Sequence, residues 1–127
     1  MNMEKLTDRS QGFLQSAQSL ALRNNNQFIT PAHLLKVMLD DKNGLASNLL
    51  NQAGANPDLL RENVAEELNK LPQVDGQNVE VSCSKDFLKM LDTAEQIATK
   101  AQDSYVSVER LLQAALLQKN YGVDVHK

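Results

Sequence analysis

Apolar residues recur every three or four positions along most of the chain, the spacing that places side chains on one face of an α-helix. The first such stretch follows Thr7, a helix-capping residue type, and ends at the asparagines 24–26. A short extended link then leads to Thr30, which is predicted to cap a second helix with Pro31 at its first position. The predicted buried stripes of these two helices are Leu14, Ala17, Leu20 and Ala21, and then Leu34, Leu35, Met38 and Leu39.

Two further helices follow before residue 72. A turn at 40–44 precedes a short helix that is predicted to stop at Gly54, since glycine favours the conformation that ends helices. Asn56 is the predicted cap of the fourth helix, with Pro57 at its first position. The apolar faces of the third and fourth helices comprise Leu45, Leu49 and Leu50, and then Leu60, Val64 and Leu68.

The chain repeats itself with an offset of 77 residues, since segment 7–39 aligns without a gap with segment 84–116. The hydroxyl residues Thr7 and Ser84 align, as do the aromatic residues Phe28 and Tyr105. The identical pairs are Leu14/Leu91, Ala17/Ala94, Ala21/Ala98, Leu34/Leu111, Leu35/Leu112 and Leu39/Leu116. The repeat predicts a fifth helix that buries Leu88, Leu91, Ala94 and Ala98, and a sixth, capped by Ser107, that buries Leu111, Leu112, Ala115 and Leu116.

These elements predict an all-α fold, a pseudo-twofold helical bundle built from two tandem four-helix repeats. We expect one domain over residues 1–127, with repeat one at 7–71, a linker at 72–83 and an incomplete repeat two at 84–127. Valines and a cysteine alternate with polar residues at 79–83, but we expect a surface linker there rather than a sheet strand. The offset places the counterparts of helices three and four near 123–147, past Lys127, so we expect a fragment of a longer protein in which residues 122–127 open the next helix.

Composition and charge exclude several function classes. The net charge is −3 without a basic tract, which argues against a nucleic-acid partner. No apolar run is long enough to cross a membrane, and the N-terminus lacks the features of a signal peptide. A single cysteine, Cys83, cannot form an internal disulfide, which favours a reducing setting, the cytoplasm or an organelle matrix. Of these we expect the cytoplasm.

Residues for chemistry are sparse. The glycines are too scattered for a phosphate-binding loop, and His33 and His126 lie far apart without nearby metal-ligand partners. We therefore predict no catalytic residue, no metal and no cofactor in this domain. His33 is interpreted as a surface or partly buried helix residue rather than a base.

Three segments of the chain, residues 18–22, 26–35 and 71–74, resemble the amino-terminal domain of ClpB-type disaggregases, AAA+ ATPases of the Clp family. The sequences of these segments are QSLAL, NQFITPAHLL and LPQV, and the resemblance extends over the twofold repeat. It implies a domain tethered to ATPase modules in a hexameric ring, where it engages unfolded or aggregated polypeptides. The parent protein would then bind ATP and magnesium.

The resemblance also implies binding residues. The polar ones are Thr7, Ser84, Asp103 and Glu109, and the apolar ones, predicted to line a groove between the repeats, are Leu14, Leu91 and Leu111. Each also has a structural interpretation: the hydroxyls cap helices, Asp103 lies in a turn, Glu109 suits the start of a helix, and the leucines belong to the core. Repeat one has Ala32 in place of Glu109, so that carboxylate would act on one side of the pseudo-twofold only.

The function we predict from the sequence is non-catalytic capture of unfolded polypeptides in an apolar groove, for transfer to the AAA+ ring. Two alternatives remain open. The domain could dock folded adaptor proteins, as related domains of protease-linked Clp ATPases do, through a defined patch with a polar rim. It could instead be a standalone helical interaction domain without an ATPase.

Overall fold

The fold is described from a computed structural model, in which residues 3–75 and 80–118 are described. The helices form an all-α bundle, as predicted, and a short 3₁₀ turn at Met3–Lys5 precedes them. The helices are α1 (Asp8–Arg23), α2 (Pro31–Leu39), α3 (Leu45–Gln52), α4 (Pro57–Asn69), α5 (Lys85–Lys100) and α6 (Val108–Gln118), and the two short strands are β1 (Phe28–Ile29) and β2 (Ser82–Cys83).

Polar side chains at the helix starts satisfy backbone N–H groups that have no partner within the helix. The Ser84 hydroxyl accepts a hydrogen bond from the N–H of Phe87 at 3.0 Å, and the Asn56 side chain accepts from Asp58 at 3.0 Å. Just after the C-terminal end of α3, Gly54 has a φ of +81°, a left-handed conformation that glycine adopts without strain. The starts of α4 and α5 and the stop after α3 are thus confirmed.

The two halves of the chain exchange equivalent backbone hydrogen bonds. The N–H of Thr7 donates to the carbonyl of Val106 at 3.2 Å, and that of Ser84 donates to the carbonyl of Ile29 at 3.0 Å. Both partners in the second bond are related to those in the first by the offset of 77, with the halves interchanged. The start of each repeat therefore joins the link before the second helix of the other repeat, as a pseudo-twofold axis requires.

The segment before α5 differs from the sequence-based expectation. Ser82 and Cys83 pair in parallel with Phe28 and Ile29, so the expectation of a linker without sheet pairing is wrong at these two residues. Val81 and Cys83, two positions apart, are both partly buried against the core. The alternation at 79–83 is a strand signal. Its partner, Phe28–Ile29, lies in the other half of the chain, however, and no local pattern identifies that pairing. Gly76 and Val79 lie outside the described residues.

Helix α2 lies at the centre of the bundle. It packs on α1 and α4 and also contacts α5 and α6 of the other half. Leu34, Leu35 and Met38 have no exposed surface. His33 is equally inaccessible, so its interpretation as a surface or partly buried residue is wrong.

Helix α5 turns a slightly different face to the core than the sequence predicts. Leu88 is 54% exposed, and the neighbouring Phe87 is buried in its place. Leu91, Ala94 and Ala98 are buried as predicted. Residues 87, 91, 94 and 98 keep the spacing of three and four that one helix face needs, and 88 falls beside it. The predicted helix opening at 122–127 lies outside the described residues.

Candidate binding site

The two hydroxyl residues predicted for binding cap equivalent helices. Thr7 Oγ1 accepts a hydrogen bond from the N–H of Ser10 at 3.1 Å, as Ser84 does from Phe87. Thr7 also donates to the hydroxyl of Ser10 at 2.9 Å, and Ser10, which is fully buried, donates to the carbonyl of Val106 at 3.0 Å. Both residues thus have a structural role, and a role in binding stays a prediction for each.

The two predicted carboxylates lie near each other in the chain but differ in their surroundings. Asp103 Oδ2 forms an ion pair with Arg110 Nε at 2.9 Å, across the turn that leads into α6. Glu109 is exposed in the first turn of α6, where a negative charge suits the helix dipole. Ala32, its counterpart in repeat one, is fully buried. The binding roles of Asp103 and Glu109 stay predictions.

The three predicted groove leucines belong to the core. Leu14 and Leu91 each keep 8% of their surface exposed, and Leu111 keeps none. The described conformation therefore offers a polypeptide little surface of Leu14 and Leu91, and none of Leu111. Their part in binding therefore stays a prediction, and the structural interpretation accounts for the burial of each.

An apolar cleft next to Ser84 was not foreseen from the sequence. Strand β1 and the turn before it form one wall, segment 71–74 forms the other, and Ser84 lies at the base of α5 beside them. The exposed ring of Phe28 lies at the cleft, with 45% of its surface accessible. The lining residues are Asn26, Gln27, Phe28, Thr30, Leu71, Pro72, Val74 and Ser84.

The size of the cleft limits what it could hold. Its volume is about 150 Å³, that of an apolar cavity known to accommodate benzene and below the usual range of about 300–1,000 Å³ for small-molecule sites. One apolar side chain of a polypeptide fits such a space. The available signal in the sequence was the alignment of Phe28 with Tyr105, because both are aromatic residues placed immediately before an inward-pointing residue of the link. Tyr105 is also exposed, at 58%.

A second depression, between α1 and α2, is wider and more polar. It has a volume of about 660 Å³, and its lining includes Gln15, Ser16, Arg23, Lys36 and Asp40. Lys36 is paired with Asp40 at 2.7 Å, one helical turn away. The exposed Arg23 is not among the residues in the described ion pairs.

The geometry shows no arrangement for metal chemistry in residues 3–75 and 80–118, where no three His, Cys, Asp or Glu side chains are grouped as metal ligands. In the same part of the chain, no helix is both long and apolar enough to span a membrane.

Comparisons with known proteins identify the family. Residues 5–125 match the model of the Clp repeat (R) N-terminal domain. Over 120 residues, or 94% of the chain, the sequence is 45% identical to the chaperone protein ClpB of Mesorhizobium japonicum, and over 121 residues it is 46% identical to that of Rhodopseudomonas palustris. The aligned region is 14% of each of these relatives, so the chain spans about one seventh of their length.

Solved structures show the same fold. The N-terminal domain of Hsp104 from Candida albicans superposes with a TM-score of 0.80 at 23% identity, covering 92% of this chain and 77% of that one. The N-terminal domain of the ClpV1 ATPase from E. coli gives a TM-score of 0.78 at 20% identity, covering 97% and 74%. The family model, the ClpB relatives and the fold agree, and the chain belongs to the Clp repeat N-terminal domain family.

Proposed function

We propose that this chain is the non-catalytic polypeptide-binding domain of an ATP-dependent disaggregase, and that it captures unfolded or aggregated proteins for transfer to an AAA+ ring. The similarity to ClpB chaperones over 94% of the chain supports a ClpB-type parent protein. The ATPase modules of that parent would bind ATP and magnesium. The observation that carries the binding role is the apolar cleft beside Ser84, with the exposed Phe28 at its edge.

The chemistry of the cleft favours an unfolded client over a folded one. A cleft that admits one apolar side chain, and offers few charged groups, selects for exposed apolar residues with little regard to sequence. The lining residues comprise apolar side chains, amides and hydroxyls, and none is ionised at neutral pH. Ordering a disordered chain offsets much of the gain from burial, so binding is expected to be weak, with Kd of about 1 μM or above.

Backbone NMR with an unfolded polypeptide tests this function. We expect weakly saturating shifts around Phe28, Leu71 and Val74, and a loss of affinity in Phe28→Ala. Tyr105→Ala removes the aligned aromatic residue from the other half and is the matched control, expected to bind as the parent chain does. Shifts confined to Leu14, Leu91 and Leu111 would instead place the client in the groove predicted between the repeats. A spectrum without shifts would refute client binding.

Adaptor docking is the second candidate function, and the wide depression between α1 and α2 favours it. Its lining mixes Leu20 and Val37 with polar side chains, among them the exposed Arg23 and the Lys36–Asp40 pair. A folded partner with complementary charge would contact a surface of this kind. Among the structural neighbours, the ATPase ClpV is described as coevolving with a sheath and an accessory protein, and that partnership is stated for ClpV only. Saturable one-to-one binding of a folded protein, lost in Arg23→Glu and retained in Phe28→Ala, would support this function for the present chain.

A further inference from the structure

A buried hydrogen-bond network lies behind the apolar cleft, and it starts at His33. The Nδ1 atom of His33 accepts a hydrogen bond from the backbone N–H of Thr30 at 2.9 Å. Its Nε2 atom lies 2.9 Å from Oδ1 of Asn26. Because Nδ1 accepts, the proton of the neutral ring is on Nε2, and His33 donates it to Asn26. The histidine thus fixes the orientation of the Asn26 amide: Oδ1 faces His33, and Nδ2 is left to donate elsewhere.

Asn26 passes this orientation on to the far wall of the cleft. It is only 4% exposed, and its Nδ2 donates to the carbonyl of Pro72 at 3.2 Å. Beside this bond, the N–H of Val74 donates to the carbonyl of Asn25 at 2.8 Å, and Asn26 forms an isolated antiparallel bridge with Gln73. Segment 71–74, which continues from the C-terminal end of α4, is therefore held against the turn after α1 at the position of Asn26.

We propose that Asn26, oriented by His33, is the positioning residue that holds segment 71–74 as the outer wall of the cleft, and that it thereby sets the affinity for an apolar client side chain. This inference rests on the proposed function for its binding part. Its structural part stands alone. The side chain of Asn26 bonds segment 71–74, Thr30 lines the wall formed by β1 and the turn before it, and His33 forms a hydrogen bond with each of them.

Asn26→Asp separates this role from a general contribution to folding. The carboxylate still accepts the Nε2–H of His33, but it has no N–H to donate to Pro72. Asn24→Asp is the matched control, since it places the same charge two residues earlier, where the backbone N–H of Asn24 keeps its bond to Leu20. We expect the Val74 amide of Asn26→Asp to exchange at least about tenfold faster than in the parent chain, since the adjacent hydrogen bond is lost. The Leu111 amide, in the core of the other half, should be unchanged.

Affinity for an unfolded polypeptide is the second readout, and loss of one hydrogen bond predicts about fivefold weaker binding for Asn26→Asp. The chain without any substitution offers a further test. The Nδ2 protons of Asn26 should be protected from exchange with solvent together with the Val74 amide, while those of Asn24 exchange freely. Unprotected Asn26 side-chain protons, or an unchanged Val74 amide in Asn26→Asp, would overturn the positioning role. Faster Val74 exchange with unchanged client affinity would overturn the link to binding. If the parent chain binds no client, the proposed function fails, and the exchange measurements still decide the positioning role.

Discussion

At the scale of single residues, His33 is a titratable side chain that the fold removes from water. It has no exposed surface, and both ring nitrogens are engaged inside the protein. Desolvation by burial lowers its pKa from 6.5 to about 4. The folded chain therefore prefers the neutral ring, which is also the form that the bond from Thr30 to Nδ1 requires.

This shift predicts that the domain loses stability in mild acid. Between pH 6.5 and about 4, the unfolded chain binds a proton at His33 that the folded chain does not, so the free energy of unfolding falls as the pH falls. The contribution is complete above pH 6.5, and about 3 kcal/mol is lost by pH 4. Urea unfolding at several pH values measures this fall in the free energy of unfolding. The same series in His33→Asn measures the part of the pH dependence that comes from the carboxylates. An equal slope in the variant would show that His33 does not titrate in this way.

At the scale of elements, the helix caps were readable from the sequence because capping is local. A hydroxyl residue before an apolar period gave the starts of α1 and α5, and a left-handed glycine gave the end of α3. The cleft was not readable in this way. It requires segment 71–74 to return to the turn after α1, through contacts of Asn25 and Asn26 with residues almost 50 positions away. No periodicity in the sequence indicates such contacts.

Substitution of Ser84 distinguishes capping from binding. Ser84→Ala removes the cap of α5 and should cost about 1 kcal/mol of stability. Ser84→Asp retains a capping oxygen and a charge that suits the helix start, so stability should stay within about 0.5 kcal/mol. Because Ser84 lines the cleft, Ser84→Asp should nevertheless weaken the binding of an apolar client. The controls are the same changes at Thr7, the equivalent cap, whose backbone N–H bonds the carbonyl of Val106. Equal effects on affinity at both positions would argue against the cleft.

The faces of α5 and α6 give a second prediction at this scale. Leu111 is fully buried, whereas Leu88 is more than half exposed, although the sequence placed both in the core. Leu111→Ala should lower the free energy of unfolding by about 2–5 kcal/mol, because it leaves a cavity. Leu88→Ala should change it by less than about 0.5 kcal/mol. Urea denaturation of both variants measures the difference, and a large loss in Leu88→Ala would mean that this leucine is covered in solution.

At the scale of the whole molecule, the pseudo-twofold explains which features the sequence could predict. The offset of 77 appears in side-chain identities, so the fold class followed from it. It also relates Asn25 and Gln102, which both have positive φ near +60° just after the first helix of each half. The backbone hydrogen bonds between the repeats could not be predicted in the same way, because the partners of Thr7 and Ser84 lie in the opposite half. No local pattern carries that information.

A client that binds the folded domain alone must stabilise the whole bundle, and this linkage gives a prediction that does not depend on assigned spectra. At a free peptide concentration ten times its Kd, the free energy of unfolding should rise by about 1.4 kcal/mol. Thermal unfolding with an apolar peptide and with a matched peptide of serine and glycine measures the rise. The increase should vanish in Phe28→Ala, since the exposed ring at the cleft is removed, and persist in Tyr105→Ala, whose ring lies in the other half. An equal increase in both variants would place the client away from the cleft.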